Sequence, residues 1–155
     1  MRYKFGLVAV GAGVLGLVGW FMSQEEAQAT GLLPYTDPVA VAAGSEVYAA
    51  YCAACHGGKL EGQPNWRQRD EDGYLPAPPH DPSGHTWHHP DEQLFMITKY
   101  GTEVLVGNGY RSRMQGFGGV LDDQDILNVL AYIKSTWPGP VAENHNQRNM
   151  QAAQN

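Results

Sequence analysis

The chain has two cysteines in 155 residues, and both lie in "CAACH", residues 52–56. No other feature constrains the fold as strongly, because C-x-x-C-H is the spacing used to attach a c-type haem covalently. One helical turn brings the sulfurs of Cys52 and Cys55 to one side, where each can form a thioether with a porphyrin vinyl group. The adjacent His56 can then bind the iron from the proximal face. Three other chemistries compete. A structural zinc site needs about four ligands, and without a second C-x-x-C the rest would have to come from histidines of the 80–89 loop. A dithiol redox motif needs a βαβ setting that the flanking residues do not offer. A disulfide between cysteines three residues apart is rarely favourable.

The N-terminus reads as an export segment. "MRYK" carries two positive charges, and Phe5 to Met22 is an 18-residue run without a charge. That run exceeds the h-region of a cleaved signal, about 7–15 residues, and approaches the ~20 that span a bilayer. Residues 1–22 are therefore expected to be a membrane anchor or signal segment. Cleavage after the Ala27-x-Ala29 pattern, leaving a soluble periplasmic protein, is the alternative. Either way the positive end stays in the cytoplasm and the rest is exported, to the periplasmic face of a bacterial inner membrane. The formal charge is −6, and Arg2 and Lys4 cancel Glu25 and Glu26, so the folded part carries all of it. Such a domain is a poor partner for nucleic acid, and a redox partner with a basic docking patch would be steered towards it.

Residues 23–37, polar and interrupted at Gly31 and Pro34, read as a linker, and residues 38–138 as one domain of all-α class. Asp37 as N-cap and Pro38 in the first turn start a helix with Val41, Gly44, Val47, Tyr48 and Tyr51 at helical spacing. Residues 57–89, rich in Gly, Pro, Asp and His, show no sustained period and read as loop. A short helix is expected from Pro90 to Tyr100, with Leu94, Phe95 and Ile97 inward and Gly101 as its stop. The last helix starts from Asp122, with Asp125 three residues on, and carries the stripe Ile126, Val129, Leu130, Ile133 and Trp137. Residues 139–155 are polar and aperiodic and read as a flexible tail.

The combination resembles the small class I monohaem cytochromes c over about residues 38–137. It rests on Gly44-x-x-x-Tyr48 before the haem motif, on "CAACH" itself, and on "RMQGFGGVLDDQDILNVLAYIKSTWP", which is similar to that family's methionine loop and terminal helix. The resemblance implies that the N- and C-terminal helices cross over a covalently bound haem, with Gly44 against Tyr132. It also implies Met114 as the sixth iron ligand. A thioether raises the reduction potential relative to a second imidazole. Gln115 departs from the family, which commonly has proline there, so the loop is expected to be softer.

The sixth ligand decides function, since an iron with two protein ligands transfers electrons and one with an open position binds small ligands. With Cys52, Cys55, His56 and Met114 as the haem c site, the chain reads as a single-electron carrier that turns over no substrate. Two alternatives stay open: a haem sensor or enzyme with an exchangeable distal ligand, and a metal-handling protein using His80, His85, His88 and His89. A carbonyl among Pro76, Pro78 and Pro79 could accept the second ring N–H of His56 and fix its tautomer. Trp66, Arg67, Trp87, Tyr110, Arg111 and Arg113 are candidates to cover or neutralise the haem propionates.

Overall fold

The computed structural model describes residues 31–154. The expected anchor or signal segment, 1–22, and linker residues 23–30 lie outside the described residues. Among those described, no helix is long and apolar enough to cross a membrane.

The regular elements among the described residues are helices, apart from one antiparallel bridge between Gly101 and Gln115. Helix α1 spans Pro38–Tyr51, with the Asp37 carboxylate accepting the Val39 N–H at 2.9 Å as its cap. The single turn α2, Ala53–His56, follows at once. A long irregular stretch then contains only a 3₁₀ turn, Thr86–His88, before α3, Asp91–Tyr100, which stops at Gly101. A short α4, Thr102–Val106, was not legible as a helix in the sequence and buries none of its residues. Helix α5 spans Asp123–Ser135, its Asp122 cap accepting the Asp125 N–H at 2.8 Å.

Helices α1 and α5 cross at a glycine. A Cβ on Gly44 would overlap the Asn128 carbonyl oxygen and stand 3.0 Å from the Tyr132 Cβ, so only glycine permits this approach. The Tyr48 and Tyr132 rings then meet with centroids 5.5 Å apart. The buried face of α1 is Ala40, Gly44 and Tyr48, so Val41 stands at the margin and Tyr51 is exposed. The whole expected stripe is buried, Ile126 to Ile133 on α5 and Trp137 just beyond its end, together with Leu33, Leu60, Leu94, Phe117 and Leu121. Each such side chain contributes about 1.5–3 kcal/mol of burial.

Two expectations are corrected. The flexible tail is a helix, α6, Gly139–Ala152, with His145 and Asn146 buried. The end of the linker is packed, with Leu33 in the core and Tyr35 against it. A single polar cluster explains both. Asp91, 2 % exposed, accepts the backbone N–H groups of Leu32 and Leu33 at 2.7 and 3.3 Å on Oδ2. Its Oδ1 faces Lys134 Nζ at 4.0 Å and His145 Nε2 at 3.4 Å. Lys134 donates to Asn146 Oδ1 at 2.7 Å and lies over the Tyr35 ring, while the Asn149 side chain accepts the Asp91 N–H at 2.8 Å. Helix α6 is thus held by polar partners distant in sequence, which no local periodicity reveals. His145 Nε2 also lies 2.9 Å from the His89 carbonyl oxygen, which can only accept, so Nε2 carries the proton. Burial, with Lys134 nearby, pushes the His145 pKa down to about 4, leaving a neutral ring beside one carboxylate and one ammonium.

Candidate haem site

The end of α1 builds the attachment motif. The Cys52 carbonyl accepts the N–H groups of Cys55 and His56 at 3.1 and 2.9 Å, which wraps the three residues into one turn. Both thiols are free, Cys52 half-buried and Cys55 exposed. Burial pushes the Cys52 thiol up to about 11, with Cys55 adding to the rise. A dithiol redox centre needs the opposite, a stabilised thiolate.

His56 is buried and oriented from behind. Its Nδ1 lies 2.8 Å from the Pro78 carbonyl oxygen. That oxygen can only accept, so Nδ1 bears the hydrogen and Nε2 presents its lone pair. Burial lowers the His56 pKa, against the weaker opposite pull of the Pro78 bond, and so keeps the ring neutral as a metal ligand must be. The proline segment is itself fixed. Gly62 donates to the His56 carbonyl at 2.8 Å and Gln63 to that of Ala77 at 2.8 Å. At Gly62, φ is +67° and a Cβ would strike the Pro78–Pro79 backbone, so the close return of this loop requires glycine.

The histidine-rich loop is pulled apart. His80 turns inward and stacks on His56, with centroids 4.0 Å apart and planes at 23°. Thr86 donates weakly to the Pro79 carbonyl at 3.5 Å, and its hydroxyl takes the His80 Nδ1 contact at 2.8 Å. Burial, then the neighbouring His56 and His85, holds His80 well below the usual histidine range. His85 stacks on Trp66, His88 packs against Trp87, and His89 Nδ1 reaches the Gln93 side chain at 3.3 Å. Among the described residues no group of three His, Cys, Asp or Glu side chains is arranged to hold a metal ion. His80 as a support for His56 was missed, since nothing in four clustered histidines marks which one turns inward.

Met114 is half-buried and packs against the core cluster that Cys52 and Ala53 also touch. Its N–H donates to the Ser112 hydroxyl at 3.0 Å, and its carbonyl accepts from Thr102 at 3.3 Å. Met96 lines an open groove of about 420 Å³ between α3 and α4 with Ile97, Leu105 and Val106. Arg111 and Arg113 are engaged by Tyr74, Asp70 and Asp72, and Arg113 holds the Asp70 carboxyl below the usual carboxylate range. Arg67 lies over Trp66, 4.2 Å from its ring centre.

Two unpaired thiols and a neutral imidazole with a free Nε2, all on one turn, are a donor set that fits a covalently held haem. Residues 41–137 match the family model for cytochrome c. The chain belongs to the cytochrome c family. Membership makes haem c its cofactor, attached covalently through Cys52 and Cys55, and electron transfer the chemistry of the family. Among solved structures the cytochrome is similar to cytochrome CL from the marine methylotrophic bacterium Methylophaga aminisulfidivorans MPT, at 24% identity and a TM-score of 0.50. The match covers 93% of this chain and 80% of that one, and it is a likeness of fold. No curated protein matches the cytochrome.

Proposed function

We propose that this cytochrome is a single-electron carrier with one haem c, its iron held by His56 and Met114. In this reading segment 1–22 anchors it to the outer face of a bacterial inner membrane, and redox partners dock through a basic patch. The observation that carries the reading is the 2.8 Å contact from His56 Nδ1 to the Pro78 carbonyl, which leaves the Nε2 lone pair available to an iron. The bound haem supplies one-electron chemistry. The chain's own residues orient the ligand, keep it neutral and restrict water: Pro78 fixes the His56 tautomer, His80 backs its ring, and Tyr48 donates to the Gly57 carbonyl at 2.8 Å to close the turn. The glycine-rich Met114 loop favours the competing reading, a sensor or enzyme with an exchangeable distal ligand.

Carbon monoxide separates the two. The ferrous parent is expected to bind it weakly and a Met114→Ala variant readily, with haem still attached and a lower reduction potential. A parent that binds carbon monoxide as fast as the variant removes Met114 from the iron and favours the sensor or enzyme. For the anchor, membranes washed in alkaline carbonate should retain the cytochrome with its N-terminus intact. A soluble product beginning at Thr30 would show cleavage instead.

A further inference from the structure

Residue 114 is held from two directions. On its C-terminal side the backbone is tied to the end of α3: Gly101 pairs with Gln115, and Phe117 donates to the Thr98 carbonyl at 2.9 Å. On its N-terminal side the chain comes from Gly107, Asn108 and Gly109, all at positive φ. There Glu103 of α4 accepts the Ser112 N–H at 2.7 Å, and a second loop adds a further restraint. The Arg111 and Arg113 guanidinium groups both lie over the Tyr74 ring, 4.2 and 4.3 Å from its centre. Arg111 donates to the Tyr74 hydroxyl at 2.6 Å and to the Asp72 carbonyl at 2.9 Å. Arg113 pairs with Asp70 and, at 3.0 Å, with Asp72. The receiving loop is shaped by itself, since Asp70 Oδ1 accepts the N–H groups of Asp72 and Tyr74 at 3.1 and 2.8 Å.

Resting on the reading of Met114 as the sixth ligand, we propose that Asp70, Asp72 and Tyr74 are positioning residues for it: they clasp Arg111 and Arg113 and thereby set how often the thioether leaves the iron. The clasp is exposed, with the Arg113 side chain 54% accessible, so it adds little to global stability. Its effect is local, on the opening of one loop. Salt screens such charges, which separates a clasp from a surface network without function.

The test is the rate of carbon monoxide binding to the ferrous holoprotein, in the parent, Met114→Ala, Arg113→Glu, Tyr74→Leu and the swap Arg113→Glu with Asp70→Arg. Arg113→Glu and Tyr74→Leu should bind about fivefold faster than the parent at low salt, and the swap should return most of the way, as for one lost and restored exposed contact. The parent should also bind faster in about 1 M salt, where charges act over only about 3 Å, and Met114→Ala should not change with salt. Fast binding by Met114→Ala with parental rates in both clasp variants overturns the clasp and leaves Met114 as ligand. A parental rate in Met114→Ala overturns the ligand reading and the clasp with it. Should a variant fail to take up haem, the salt series on the parent decides, and a rate unchanged by salt overturns the proposal.

Discussion

The turn that carries His56 and the loop that carries Met114 are fixed by different physics. His56 is 6 % exposed, bonded to a backbone carbonyl of a proline segment and backed by the half-buried His80 ring. That segment continues into the core: Trp137 donates its indole N–H to the His80 carbonyl at 2.8 Å and packs edge-on to His145. Releasing His56 therefore requires opening the part of the domain where α5 and α6 meet the loop. Met114 depends on main-chain bonds at the end of α3 and on charged side chains in solvent. Buried, uncharged restraints are insensitive to salt, and exposed charged ones are weak and screened. In this account one ligand is permanent and the other conditional.

The largest effect comes from removing the permanent side altogether. A Cys52→Ser, Cys55→Ser variant should lose all haem to acid–acetone extraction, whereas the parent retains it. Next is Asp91→Ala, which leaves Lys134 buried without its carboxylate and frees the Leu32 and Leu33 amides. Breaking such a buried pair costs about 3–5 kcal/mol, measurable by urea unfolding of the holoprotein. The comparison is sharpened if this variant is less stable globally but binds carbon monoxide at the parental rate in native buffer. Equal loosening of both would show that the two sides are not independent.

The smallest expected effect is that of pH. His145 takes up a proton near 6.5 in the unfolded chain but near 4 in the folded one. Between those values the unfolded state holds the extra proton, so stability is full above about 6.5 and declines as pH falls towards 4. Unfolding free energy measured across that window should fall with pH, with His80, also held low by burial, adding to the slope, and His145→Gln should reduce it by up to one proton. A parent with no slope there would place a protonated His145 in the fold.

The sequence carried what local chemistry writes. The caps at Asp37 and Asp122, the stop at Gly101 and the stripe from Ile126 to Trp137 each act within a few residues, and all are where spacing placed them. Gly44 against Tyr132 followed from the family resemblance, and the haem motif from its spacing. Helix α6 was illegible because its stability lies in Asp91, Lys134 and Tyr35, which are remote in sequence. The inward turn of His80 and the clasp on Tyr74 were hidden for the same reason: a histidine among histidines and an acidic loop acquire their roles from what the fold sets against them.

The most direct measurement is the proton NMR spectrum of the ferrous cytochrome, in which the methyl of a methionine bound to the iron through its sulfur would lie in the ring current of the porphyrin. One methyl resonance is expected upfield of all other protein methyls, assigned to Met114 by its loss in Met114→Ala, and broadened by exchange as salt is raised. A spectrum without such a resonance in the parent, or one that survives in Met114→Ala, would contradict a permanent His56 paired with a conditional Met114.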